Sequence, residues 1–266
     1  MLLILLACGP KDVTPTASGT GAQLAATLDL AMREDVVDTL HGVEVADPYR
    51  WMEDAESEAV QSWTGRRNEA FDAFTSDLAQ KNWLYDRFQY LWRYDDESTP
   101  SPCLLSDRIT YRTKKADQDK WVVHIKDGPD AESRVVIDPN TWGEIETLSF
   151  FSPSPDCSLA AFGKSQGGNE NPVISVMDLD SGEVFADTVR GWKQGGVSWK
   201  HDNSGFYYTA KPLEDEVENE GDHEYWHRVW EHTIGTTADQ DVLIHSDPEV
   251  RETWHGVWTS EDGKWR

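Results

Sequence analysis

The sequence predicts a mainly β protein: an incomplete β-propeller, three blades and the start of a fourth, preceded by an amino-terminal helical segment. Two observations predict it. Apolar spacing is helical from Asp54 to Tyr94 and switches to a period of two after Pro102. Beyond that switch, a polar turn centred on aspartate and followed by a strand recurs at blade-sized intervals. A chain of 266 residues with 38% hydrophobic and 11% aromatic content, including 13 tryptophans, suits a body rich in strands.

The helical part comes first. Val60, Trp63, Ala70, Phe71, Phe74 and Leu78 fall on one face of a helix over 54–78, with Glu56, Glu58, Arg66, Arg67 and Asp77 opposite. Asp54 is the expected N-cap, since a carboxylate there accepts the first free amides. A second helix is expected over Trp83–Tyr94, and Pro100 and Pro102 end it. Aromatic stripes of this kind pack against a neighbouring domain.

Strands are then expected at 109–113, 121–125 and 134–137. The recurring unit follows. Ser154-Pro155-Asp156-Cys157-Ser158 precedes Leu159–Phe162, Lys200-His201-Asp202-Asn203-Ser204 precedes Gly205–Tyr208, and Ser260-Glu261-Asp262-Gly263-Lys264 precedes Trp265. The aspartates stand about 46 and about 60 residues apart, near the roughly 40–50 residues of a four-stranded blade. Ser106-Asp107-Arg108 is a weaker upstream copy. Each turn follows an apolar strand, at 148–151, 197–199 and 257–258, and hairpins are expected at Asp180-Ser181-Gly182 and Gly235-Thr236-Thr237. Three blades and a fraction leave strand edges open, so the sequence is expected to belong to a longer protein.

Charge narrows the function classes. A formal net charge of -25, from 24 basic and 49 acidic residues, excludes a nucleic-acid partner and docking on anionic lipid. Leu5, Leu6, Ala7 and Cys8 follow the order of a bacterial lipoprotein signal, with Cys8 as the lipidated residue. The expected organisation is a signal over 1–8, a flexible tether over 9–34, a helical segment over 35–100 and a partial propeller over 101–266. The apolar run is far too short to span a bilayer, so the only expected membrane contact is the lipid anchor. A secreted or periplasmic, envelope-anchored protein follows. Cys103 and Cys157 could pair in an oxidising compartment, but they carry no framework signal, and free thiols are the expectation.

His223-Glu224-Tyr225-Trp226-His227 matches H-E-x-x-H. On a helix its two histidines bind zinc, its glutamate activates water, and Glu249 stands where a third ligand is found in some zinc peptidases. The aromatic and β-branched run from Tyr225 to Trp230 argues instead for a loop-to-strand junction, where the histidines stand about 13 Å apart. No metal and no cofactor are assigned. His201 in a turn, His245 after a strand and His255 between tryptophans are read as packing residues.

The residues from Asp35 to Asp54, with His41-Gly42, Asp47-Pro48-Tyr49, Trp51 and Glu53-Asp54, resemble the amino-terminal part of prolyl oligopeptidase-family serine peptidases. Asp138-Pro139-Asn140, Phe151–Asp156, Val197–Asp202 and His232–Thr236 continue the resemblance, which extends over 35–266 and is shared with oligopeptidase B relatives. It implies an α/β-hydrolase domain carrying a Ser-Asp-His triad, begun by the amino-terminal segment and completed after the propeller. It also implies a propeller that admits only short peptides, and cleavage after proline. The chain is expected to lack a G-x-S-x-G nucleophile elbow, so no residue is named as catalytic, and the chain by itself is expected to be inactive. Trp192 is the one aromatic before the strand at 197–199, where the family lines part of its substrate pocket, and its role is left open. A partner-binding lipoprotein without catalysis is the remaining alternative.

Overall fold

The computed structural model describes residues 31–76, 78–189, 191, 195–212, 216, 217, 219 and 222–266. The described residues up to Tyr90 form one compact unit and Leu91–Arg266 a second. Cys8, the signal and most of the tether lie outside the described residues, as does Trp192.

The first unit opens with a hairpin of β1 (Val37–Leu40) and β2 (Val43–Ala46). Its two-residue turn is His41-Gly42, both with positive φ (54° and 80°), the conformation that matches the twist of paired strands. Helix α1 spans Glu58–Ser76, four residues later than the sequence suggests. Asp54 is not its cap. The Asp54 carboxylate accepts the amide of Glu56, while Ser57 Oγ accepts the amide of Val60 at the third helical position. Helix α2 runs over Ala79–Trp92, earlier at both ends than the expected 83–94. No described helix is long and apolar enough to cross a membrane.

The second unit holds three antiparallel sheets. The first blade contains β3 (Asp96–Glu97), β4 (Ser101–Pro102), β5 (Ile109–Lys114), β6 (Val122–Lys126) and β7 (Ser133–Ile137). Both short strands pair with β5, which is followed across the sheet by β6 and β7. The second blade is β8 (Glu146–Pro153), β9 (Leu159–Gln166) and β10 (Val173–Asp178), with a single bridge from Met177 to Val184 in place of a fourth strand. The third is β11 (Val197–Trp199), β12 (Gly205–Ala210), β13 (Arg228–Thr233) and β14 (Val242–Ser246), paired in chain order. Among the described residues the sheets do not close into a ring.

Two cores lie between the blades, and the pleat of the second blade sorts its side chains between them. Ala160, Phe162 and Met177 join Val123, Ile125 and Ile137 of the first blade. Ala161 and Val176, one position out of phase, join Trp199, Phe206, Tyr208 and Trp230 of the third. Successive strand residues therefore bury opposite faces, which is why the run Leu159–Gly163 is apolar throughout and does not alternate with polar residues. The expected strand at 257–258 is not formed. The amide of Thr259 instead donates to Ser198 Oγ at 2.7 Å.

Candidate functional site

The recurring aspartate turn is one structure built three times. Ser154, Lys200 and Ser260 each donate a backbone amide to the carbonyl five residues on, at 2.8, 2.9 and 2.9 Å. Between those ends, Cys157, Asn203 and Gly263 occupy the left-handed region at φ 57°, 59° and 68°. Each aspartate then folds its carboxylate back onto the turn. Asp156 accepts from Ser154 Oγ (3.0 Å) and the Ser158 amide (2.8 Å), and Asp202 from the Ser204 amide (3.1 Å) and Oγ (2.6 Å). Asp262 accepts from Ser260 Oγ (2.6 Å) and the Lys264 amide (3.1 Å).

These bonds hold all three carboxyls below the ordinary carboxylate range. For Asp156 burial pushes the other way and is outweighed; for Asp202 and Asp262 the serine hydroxyl is the largest influence. Every one of these carboxylates is occupied in holding its own turn, so none is poised as a general base.

The weaker copy in the first blade keeps the frame and loses the aspartate. Cys103 donates to the Arg108 carbonyl at 2.9 Å, but Leu105 stands where the carboxylate would be, and its amide donates to Pro155 of the next blade at 2.8 Å. Ser106 Oγ reaches the Asp156 carbonyl at 2.8 Å. Cys103 and Cys157 are joined by a disulfide, with Cα atoms 5.9 Å apart, which corrects the expectation of free thiols. The spacing of 54 residues along the chain hides the contact, because equivalent turns of adjacent blades stack at one rim.

The zinc motif does not form a site. His223 lies in a three-residue 3-10 turn, Asp222–Glu224. Trp226 then takes positive φ, 58°, which breaks any helix before His227. His227 is buried against Trp254, with ring centres 3.9 Å apart. Glu224 pairs with Lys211, and Glu249 sits in a turn capped by Asp247. Among the described residues no three histidine, cysteine or carboxylate side chains gather as metal ligands.

The letters G-x-S-x-G do occur once, at Gly163-Lys164-Ser165-Gln166-Gly167, contrary to the expectation that the chain lacks them. They do not make an elbow. Gly163, Lys164, Ser165 and Gln166 are the end of β9, and Ser165 is buried, with Ser149 Oγ donating to it at 2.7 Å and Thr147 Oγ1 sharing a hydrogen bond with it at 2.9 Å. Gly163 is required because a Cβ there would lie 2.4 Å from the Phe150 ring. Gly167 turns the chain at φ 59°. A nucleophile needs a strained, exposed strand-to-helix turn. This serine has neither.

Two cavities lie near the turns. One of about 240 Å³ is walled by Leu104, Pro153, Pro155, Val197, Trp199 and Thr259, beside the first strands of the second and third blades. One of about 560 Å³ includes Lys200, Tyr207, Lys264, Trp265 and Arg266. Lys200 is engaged by Glu231 at 2.7 Å, which raises its pKa, and Arg266 lies 3.6 Å from the same carboxylate.

The family model for the prolyl oligopeptidase N-terminal β-propeller domain matches residues 29–265. The chain belongs to the prolyl oligopeptidase family. A prolyl endopeptidase of Elizabethkingia meningoseptica is 28% identical over 233 residues, 86% of this chain and 32% of that protein. A dipeptidyl aminopeptidase BI of Pseudoxanthomonas mexicana is 26% identical over 98% of this chain and 37% of its own. A solved structure from a study of two prolyl endopeptidases superposes with a TM-score of 0.76 and 30% identity, covering 89% of this chain and 35% of the other. The chain thus spans about a third of the length of the prolyl oligopeptidase relatives it matches.

The residues carrying the family resemblance hold the fold. Asp47 accepts Arg50 Nε at 2.6 Å and Asp38 pairs with the same guanidinium, fixing the turn after β2. Asp138 caps the 3-10 turn Pro139–Thr141 by accepting the amide of Asn140. His232 and Gly235 meet a buried aspartate that sequence reasoning did not single out, Asp187.

Proposed function

We propose that this chain is the amino-terminal, propeller-forming part of a prolyl-oligopeptidase-like serine peptidase. The match of the family propeller model over residues 29–265 carries the reading. In the whole enzyme the propeller restricts access to short peptides, and a hydrolase domain cleaves them after proline. The exposed Leu84, Phe88, Leu91 and Trp92 fall on one side of α2, an apolar face suited to covering by that hydrolase domain. The cavity between the first strands of the second and third blades supports a route for an extended peptide.

The 266 residues by themselves do not hydrolyse peptides. The placement of Ser165 inside β9, hydrogen-bonded to two hydroxyls, supports this. The purified chain is expected to release no chromophore from a proline-containing chromogenic peptide, while the product of the whole coding sequence does. Turnover by the chain alone would overturn the reading.

The protein matures outside the cytoplasm, anchored through a lipid on Cys8. The buried Cys103–Cys157 bridge supports an oxidising compartment. Cys8→Ala is expected to move the protein from the membrane fraction to the soluble one in cells that process lipoproteins. Unchanged fractionation would remove the anchor.

A further inference from the structure

His232 lies at the centre of the third blade with a carboxylate on each side. Its side chain is 0% exposed, and those of Asp187 and Asp241 are 2% and 0%. Its Nε2 stands 3.1 Å from Asp187 Oδ2, and its Nδ1 2.8 Å from Asp241 Oδ1. The three come from different places. His232 is on β13, Asp241 precedes β14, and Asp187 belongs to the connection that leaves the second blade after the Val184 bridge. That connection is tied to the third blade only a few residues away, where Gly235 donates its amide to Asp187 Oδ2 at 2.8 Å and Ala238 donates to Thr188 Oγ1 at 3.1 Å.

The count of protons decides what the cluster can do. A neutral imidazole has one N–H, and an imidazolium has two. Two buried carboxylates facing the two ring nitrogens each receive an N–H from the ring only when it is charged. The groups facing His232 from the elements around it are few. β12 contributes the Phe206 ring, 5.0 Å away, and Tyr208, whose hydroxyl donates to Asp241 Oδ2 at 2.5 Å. The connection leaving the second blade contributes Asp187, and the segment before β14 contributes Asp241. Glu231, the adjacent residue on β13, engages Lys200 and Arg266. Burial alone would lower the His232 pKa; the hydrogen bonds and charges of Asp241 and Asp187 outweigh it and raise it above the ordinary 6.5.

We propose that Asp187, His232 and Asp241 form a proton-controlled latch that clamps the connection between the second and third blades. With the ring protonated, each N–H is donated to one carboxylate and residues 185–189 are held to β13. When Nε2, the longer of the two contacts, gives its proton to solvent, the Asp187 carboxylate faces a nitrogen lone pair. That side of the clamp opens. Because the folded pKa is raised, the contribution is fully present below histidine's unfolded value and is lost as pH rises through the folded one. The latch therefore releases on the alkaline side.

The test is nitrogen NMR of histidine-labelled full chain, paired with hydrogen exchange of residues 185–189 across the same pH range. At pH 7 both His232 ring nitrogens are expected to carry protons. On raising the pH one is lost, and exchange at 185–189 rises beyond its intrinsic pH dependence at the same midpoint. Asp187→Asn, which keeps an acceptor but removes the charge, is expected to weaken proton binding by His232 about tenfold or more. A single ring proton in the wild type at pH 7 overturns the proposal, whether or not the variant folds. So does exchange at 185–189 that follows the intrinsic dependence through the ring's titration.

Discussion

Ser165 shows how one residue can carry a catalytic pattern and a packing role at once. Its neighbours in the letters G-x-S-x-G are glycines for reasons unrelated to chemistry, since Gly163 makes room for Phe150 and Gly167 reverses the chain. Gly163→Ala would press a methyl into the Phe150 ring at 2.4 Å. A loss of about 1–3 kcal/mol in denaturant unfolding is expected, as for other overpacked cores. Ser165→Ala removes the hydrogen-bond partner of two hydroxyls and is expected to cost about 1 kcal/mol, while leaving unchanged the peptide hydrolysis proposed for the whole protein. Loss of activity with stability retained would make Ser165 a nucleophile after all. The same lesson holds at Trp226. Aromatic composition pointed to a strand from Tyr225, but a positive φ at Trp226 delays β13 until Arg228, and nothing in a tryptophan's side chain advertises that backbone.

At the scale of elements, period and turn chemistry read directly. The strands expected at 109–113, 121–125 and 197–199 form as β5, β6 and β11, within one residue at each end, because turn residues bracket them. Helix ends are less legible, because Asp54 and Ser57 both offer capping oxygens and only the backbone decides which one is used. Ser57→Ala is expected to cost about 1 kcal/mol, and Asp54→Ala clearly less, in thermal melts of the chain. The aspartate turns carry an acid dependence of defined sign. Their carboxyls titrate below the ordinary 3.8 in the folded state. The stability they contribute is thus present above that value and lost as pH falls through the folded ones. Asp156→Asn is expected to melt below the wild type at neutral pH, with the gap closing under acid. A gap of constant width would show that the turn does not depend on the charge.

At the scale of the molecule, the seam between the first two blades is fastened more heavily than its sequence suggests. Beside the disulfide, Arg108 donates to the Cys157 carbonyl at 2.9 Å and pairs with Asp180 at 2.7 Å and Asp127 at 3.0 Å. Arg134 pairs with Asp180 at 2.9 Å and donates to the Leu179 carbonyl. Cross-linking across a separation of 54 residues stabilises a fold by about 2–4 kcal/mol. Thiol titration of the unreduced, denatured chain is expected to find this pair oxidised, and reduction is expected to lower the melting temperature. A Cys103→Ser/Cys157→Ser chain that melts with the oxidised wild type would show that the arginine clamp suffices.

Sequence by itself determined the class of this protein and the positions of its repeating turns. Those follow from local rules: alternation sets which residues can pair on a pleat, and Asp, Ser and a residue tolerant of positive φ specify a tight turn wherever they fall. It determined the family as well, through motifs such as Asp47-Pro48-Tyr49 and His232–Thr236 whose work is to hold turns and strands. Tertiary structure alone decided which distant residues meet. Cys103 with Cys157, Arg108 with Asp180, and His232 with Asp187 are contacts between neighbouring blades, separated by 54, 72 and 45 residues along the chain. Such pairings are set by how blades stack, a rotation that no local pattern of residues encodes. Burial then turns those meetings into chemistry, since two carboxylates around an imidazole matter only where water is excluded.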